Sequence, residues 1–266
     1  MEILGPRHIV LVGDLIHWQL HDSIMYNMFD NPQACYGDLA CHLEVGHPLC
    51  PLPNDVRLKF VRNDLLSAMR PRKSRKTQDP VEMPWLKDMR LKDTVILGAT
   101  HQALKDKAFQ RLLTDTISKI RKARPDALII YRNNPVGHSE CSSVANAFNG
   151  NEAQREQKQK ERQQEQQQQQ HTFGAPARAF TNDIPTVEML HYPLSWAHYD
   201  RQNRIAKVIV EASGGIYWNI ATMTNMRPDG HVGGQDCLSY KRPGSTDEWA
   251  VSLFNLFNTI EAVERE

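Results

Sequence analysis

Residues 127–131 read Ala-Leu-Ile-Ile-Tyr, a run without a polar face that Pro125 separates from the segment before it. A strand that is apolar on both sides must be covered on both sides, and a parallel sheet sandwiched between helices does that. Runs of the same kind occur at residues 8–12, at 94–97 ahead of Gly98, and at 216–220. The stretches between them change to helical spacing. Trp18, Ile24, Met25 and Met28 follow the first run, and Leu104, Ala108, Leu112, Ile117 and Ile120 share one face of a helix that Pro125 ends. Ile205, Val208, Ile209 and Ala212 mark a helix over 199–212 closed by Gly214-Gly215, and residues 247–263 fit a further helix. Strands alternating with helices predict right-handed βαβ units. The expected fold class is therefore α/β, a doubly wound, mostly parallel sheet that is flavodoxin-like in the broad sense, with functional loops at the carboxyl ends of the strands.

A chain of 266 residues fits one such domain, 1–266. Lysine and arginine total 32 against 31 acidic residues, so no overall field draws the protein to nucleic acid or to an anionic membrane, and no nucleic-acid partner is expected. The apolar runs are strand-sized, too short to span a bilayer. Residues 1–8 lack the pattern of a signal peptide, which as the chain is written points to the cytosol. Cysteines 35, 41, 50, 141 and 237 are odd in number, so at least one is free if the others pair, and reduced thiols are the expectation. The histidines are scattered and no Cys-x-x-Cys occurs, so neither a metal nor another cofactor is expected. Residues 149–171 are rich in glutamine and lack apolar periodicity; they read as a disordered insertion within the domain, a candidate for recruiting protein partners. The basic run at 70–76 reads as a solvated loop.

The chemistry is expected where the first strand ends in Gly13-Asp14 and turns into a helix. Val10-Leu-Val-Gly-Asp14 with Gln19 and Ser23, Tyr131-Arg-Asn-Asn-Pro-Val-Gly-His138 with Cys141, and Tyr192-Pro-Leu-Ser-Trp196 form the first blocks of a pattern. Met226-Arg-Pro-Asp-Gly-His231, Gln235-Asp-Cys-Leu-Ser-Tyr240, Pro243-Gly244 and Asp247-Glu-Trp249 complete it. Together they resemble the PC-esterase family of SGNH-type hydrolases, which includes the trichome birefringence-like polysaccharide O-acetyltransferases. The resemblance covers nearly the whole chain outside the glutamine segment, and it implies a secretory-pathway or Golgi setting.

In that family the first motif reads Gly-Asp-Ser, with the serine as acyl nucleophile, and the last reads Asp-x-x-His, with the histidine as base. Leu15 stands at the nucleophile position and Ser239 at the base position, leaving Asp236 as the surviving triad position. Leucine cannot be acylated, and a serine hydroxyl does not accept a proton at neutral pH. Lys241 replaces the family's next cysteine, which implies that Cys237 has lost its disulfide partner. The resemblance thus implies a catalytically impaired homologue of carbohydrate O-acyl esterases and acetyltransferases that keeps a carbohydrate or acylated ligand. Two alternatives stand beside it. One is an active enzyme in which Ser239 is a relocated nucleophile, with His231 and either Asp229 or Asp236 as substitute base and acid. The other is a non-catalytic scaffold acting through the glutamine segment.

Gly13, Asp14, Arg132, Asn133 and Asn134 are the candidate substrate-binding residues, the last three as oxyanion or sugar-hydroxyl donors. His17 is expected to be capped in its first helical turn or stacked on Trp18. Trp196, Tyr199, Trp218 and Trp249 are either a sugar-stacking platform or core. His101 either lines the cleft or caps a helix.

Overall fold

The computed structural model describes residues 7–28, 42–46, 55–64, 66, 83–87, 89–90, 92–98, 104–135, 138, 199–233 and 236–264. The glutamine segment, the basic run at 70–76, His101, Cys141 and Trp196 lie outside them.

Six strands form the main sheet: β1 His8–Gly13, β2 His42–Val45, β3 Arg57–Arg62, β4 Thr94–Gly98, β5 Leu128–Arg132 and β6 Ile216–Trp218. Their spatial order is β2-β3-β1-β4-β5-β6, and the five from β3 to β6 are parallel, with β2 added antiparallel at the β3 edge. Helix α1 Leu15–Met28 follows β1; α2 Pro84–Lys87 and α3 Asp106–Ala123 flank β4; α4 Tyr199–Ala212 precedes β6; α5 Ala221–Asn225 follows it. A hairpin of β7 His231–Gly233 and β8 Asp236–Tyr240 leads into α6 Ser245–Glu264.

The strands carry apolar side chains in alternation, and each set meets its own helices. Ile9 and Leu11 of β1, Leu58 and Phe60 of β3, and Ile96 of β4 pack with Ile16, Leu20 and Ile24 of α1 and Trp249, Leu253 and Phe257 of α6. On the opposite face Val10, Val12, Val95, Leu97 and Ile129 pack with Phe109, Leu113, Ile117 and Ile120 of α3 and Ala206 and Val210 of α4. Two helix layers on a parallel sheet are the doubly wound α/β fold that the alternating runs predict. Burial on both faces is also why those runs have no polar side. Tyr199, Trp218 and Trp249 are buried, which settles their place as core.

Local chemistry sets the joins. Gly214 takes φ 69°, and the Gly215 N–H reaches the Val210 carbonyl at 2.9 Å, a Schellman-type stop for α4. Arg121 locks this stop to the end of α3 by donating to the carbonyls of Ser213 at 3.2 Å, Gly214 at 3.0 Å and Ala127 at 2.6 Å. Along α1, Gln19, Ser23 and Asn27 recur every fourth residue and form a polar seam. The Gln19 carboxamide oxygen accepts from the Tyr240 N–H at 3.2 Å, Ser23 Oγ donates to Thr246 Oγ1 at 2.7 Å, and Asn27 Nδ2 donates to Asp247 Oδ1 at 2.9 Å. Arg242 pairs with Asp22 and stacks over Tyr26 along the same helix.

β1 lies between β3 and β4, so the chain leaves its carboxyl end towards one side of the sheet and later returns past it to build the other. That reversal is the switch point at which ligands enter open α/β sheets. Gly13 and Gly98 face each other across it.

Leu253 is fully buried between α6 and the sheet. Leu253→Ala should lower the free energy of unfolding by about 2–5 kcal/mol, the usual cost of such a cavity, as read from urea unfolding followed by tryptophan fluorescence. A change under about 0.5 kcal/mol would contradict this packing.

Candidate functional site

β1 stops at Gly13, and Asp14 turns the chain into α1. The Asp14 carboxylate accepts the Ile16 N–H at 3.1 Å and the His17 N–H at 3.2 Å, capping two of the donors that a helix start leaves unbonded. Leu15, the first residue of α1, is 40% exposed beside this turn.

The next turn residue points inward. His17 is fully buried, with Nε2 3.0 Å from the Ile96 carbonyl and Nδ1 3.0 Å from Arg132 Nε. A carbonyl only accepts and a guanidinium only donates, so the geometry fixes the tautomer: Nε2 carries the proton and Nδ1 accepts from Arg132. Burial first, and then the Arg132 charge, hold His17 at about 3, well below its ordinary 6.5. The expectation of a capped first-turn histidine holds for its backbone N–H, which donates to Asp14, while its ring is bonded to Ile96 and Arg132. Its ring reaches from α1 to Ile96 in the middle of β4 and to Arg132 at the end of β5.

Arg132 closes β5 and is also fully buried. Besides His17 it donates through Nη1 to the Asn133 carbonyl at 3.1 Å, and its Nη2 faces Asp14 Oδ1 at 3.7 Å. Burial pushes the guanidinium pKa down, and the Asp14 carboxylate is the largest influence opposing it. The glycines make room for this cluster. A Cβ on Gly98 would stand 2.6 Å from His17 Nδ1 and 2.7 Å from Arg132 Nε, and one on Gly13 would stand 1.9 Å from the Gly98 carbonyl oxygen.

Asn133 joins β5 to β6. Its Nδ2 donates to the Tyr217 hydroxyl at 3.0 Å and to Asn219 Oδ1 at 2.7 Å, while its Oδ1 accepts the N–H groups of Ile220 at 2.9 Å and Ala221 at 3.0 Å at the start of α5. Those bonds engage both donors and both lone pairs of its carboxamide, so Asn133 ties the strand ends together. Asn134 is tied through its backbone to the Asn203 carboxamide at 2.8 and 3.0 Å. Its own buried carboxamide has no hydrogen-bond partner among the described residues.

The β7–β8 hairpin brings the remaining candidates. His231 is buried and stacks on Tyr240 with ring centroids 4.5 Å apart. It meets Ser239 through the backbone, Nδ1 to the carbonyl oxygen at 3.3 Å, and its Nε2 lies 3.0 Å from His138 Nδ1. Asp229 sits in the turn before β7, held by a two-pronged bond to Arg227 at 3.0 and 3.1 Å that keeps its carboxyl below the usual range. Asp236 enters the described structure as the first residue of β8.

Three histidines in this region have surroundings that the sequence reading did not anticipate, although it named His17 and His138. His17 belongs to the site as the partner of Arg132, and the signal for it is the pair of glycines ending β1 and β4, each vacating space for a buried polar group. His138 is the partner of His231. His21 stands four residues after His17, the spacing of a helical metal pair, yet it is buried beside Phe60 with ring centroids 6.0 Å apart while His17 is engaged by Arg132. Among the described residues no group of three or more histidine, cysteine, aspartate or glutamate side chains could hold a metal.

Two consequences are measurable. His17 and His21 both titrate near 3 in the folded protein and near 6.5 when unfolded. As pH falls below 6.5 the unfolded chain takes up protons that the folded one refuses, so their contribution to stability is complete above that pH and is lost towards pH 3. Each histidine should remove about 1.4 kcal/mol per pH unit within that window. Urea midpoints between pH 7 and 4 measure the slope, and a flat profile would contradict neutral buried imidazoles. Gly98→Ala should cost about 1–3 kcal/mol through overpacking against His17 and Arg132, read in the same assay, with a neutral result arguing against the close approach.

Compared with protein-family models and with curated proteins, the sequence gives no match.

Proposed function

We propose that this chain is a catalytically impaired relative of the SGNH-type PC-esterases that retains a site for a carbohydrate or an acylated small ligand at the carboxyl ends of β1, β4 and β5. The observation that carries the reading is Leu15. It occupies the first position of α1, beside the Asp14 cap, where the resemblance calls for the nucleophilic serine, and its alkyl side chain can neither lose a proton nor take an acyl group.

Two further observations support an impaired site. The nearest imidazole, His17, has its lone pair engaged by Arg132 and its proton engaged by Ile96, so it is a poor base for an attacking water. His231 Nδ1 faces the Ser239 backbone carbonyl and its Nε2 faces His138, so both of its ring nitrogens already have neighbours. An SGNH frame without nucleophile and base keeps only binding and electrostatics, a rate orders of magnitude below an intact enzyme.

The test is acetyl-ester hydrolysis of 4-nitrophenyl acetate and an acetylated glycan by the full chain and by the double variant Leu15→Ser, Ser239→His. The wild type should stay at the buffer rate and resist a serine-directed fluorophosphonate, while the double variant gains hydrolysis and labelling. Labelling of Leu15→Ser alone provides a second reading if the buried Ser239 position does not admit a histidine. Wild-type hydrolysis that disappears in Ser239→Ala would overturn the proposal in favour of a relocated nucleophile.

A further inference from the structure

Two of the buried groups that make no hydrogen bond among the described residues sit at the carboxyl end of β5: Nη2 of Arg132 and the whole carboxamide of Asn134. Buried polar groups in folded proteins are nearly always paired, so two orphans at one strand end mark a place that wants a partner. Arg132 and Asn134 are two residues apart, the spacing that sets side chains on one face of an extended chain, and Pro135 favours extended backbone at Asn134. Asn133 between them is bonded to Tyr217 of β6 and to Asn219. The Asn203 carboxamide takes the Asn134 backbone N–H at 2.8 Å and its carbonyl at 3.0 Å, so the residue is fixed in place while its own side chain stays unpaired.

The charge at this point is unbalanced. Asp14 Oδ1 stands 3.7 Å from Arg132 Nη2, an ion pair without a hydrogen bond, and the same oxygen accepts the N–H groups of Ile16 and His17. The start of α1 adds roughly half a positive charge, so the guanidinium and the helix together exceed the one carboxylate. The other two partners of Arg132, the His17 ring and the Asn133 carbonyl, are neutral. A second anionic group would therefore be accommodated here.

We propose, resting on the ligand site inferred above at these strand ends, that Arg132 Nη2 and the Asn134 amide nitrogen receive the carboxylate of a hydroxylated acid of the uronic-acid class. Each carboxylate oxygen then meets one N–H donor. The Asn134 carboxamide oxygen can only accept, and a sugar hydroxyl beside the carboxylate supplies its donor. A neutral sugar serves the carboxamide equally well but gives Nη2 only an uncharged acceptor, a weaker bond than a charge-assisted one. Both residues are fully buried, so binding requires the chain around them to open, and association is slower than at an exposed site.

The test is calorimetry of the full chain with glucuronate and with glucose. Glucuronate should bind at one equivalent and at least about tenfold tighter than glucose. Asn134→Leu should lose at least about tenfold in glucuronate affinity, with a urea midpoint no lower than that of the wild type, because carbon replaces an unpaired buried carboxamide. Asn134→Asp sets a carboxylate beside the ligand's own, and should exclude glucuronate while the chain stays folded. Equal affinity for the two sugars would overturn the anionic assignment and leave the carbohydrate site standing. Wild-type affinity for glucuronate in Asn134→Leu would overturn it as well. If neither sugar binds the wild type, the carbohydrate site inferred above falls with it.

Discussion

A guanidinium sealed from water sets the terms at the carboxyl ends of β1, β4 and β5. Removing such a charge from solvent costs several kcal/mol even after the protein relaxes, so Arg132 depends on nearby acceptors, although its Nη2 makes no hydrogen bond among the described residues and has Asp14 only as an ion-pair neighbour. The Asn133 carbonyl takes one of its donors, the lone pair of His17 takes another, and the Asp14 carboxylate faces the third side. Each of those partners is constrained in turn. His17 can accept only as the Nε2–H tautomer, which requires the Ile96 carbonyl behind it, and it reaches Arg132 only because Gly98 has no side chain. Asp14 is shared between the guanidinium and the first turn of α1, so the charge that steadies Arg132 also starts the helix.

The same economy governs the strand ends beside it. Asn133 spends its whole carboxamide on Tyr217, Asn219 and the first two N–H groups around α5, which makes it a rivet between β5 and β6. Polar residues clustered at the carboxyl edge of a parallel sheet look like binding groups in a sequence. Arg132 and Asn133 both make hydrogen bonds that hold this edge together. Among the described residues beside the cluster, Leu15 on α1 is exposed and His138 next to the hairpin is half-buried.

The alternation of strand and helix was legible because β1, β4 and β5 lie inside the sheet, where burial on two faces erases polar residues, and because β6, though an edge strand, keeps an apolar run ending in buried Trp218. β3 escaped notice for the opposite reason. In Arg57–Arg62 only Leu58 and Phe60 are buried, while Arg57, Lys59 and Arg62 take three of the other four positions beside Val61, so its pattern is short and half polar. The hairpin strands of three and five residues were not anticipated either, since a pair that short is recognised by its register and not by composition. Leu15, Asp14 and Arg132 could be singled out from motifs. The pairing of Arg132 with His17 could not, because it joins residues 115 apart through a gap left by a glycine on a third strand.

The polar seam on α1 has a consequence in time as well as in space. Gln19, Ser23 and Asn27 bond residues 220 or more positions further along, and Leu20 and Ile24 are covered by α6. A ribosome adding about 5–20 residues per second delivers that covering segment some ten seconds or more after α1 has emerged. Through that interval the central strand and its helix expose an apolar face and a row of unbonded polar side chains. Folding of this sheet is therefore governed by closure of a very long loop, and nascent chains are the form of the protein with most need of a chaperone.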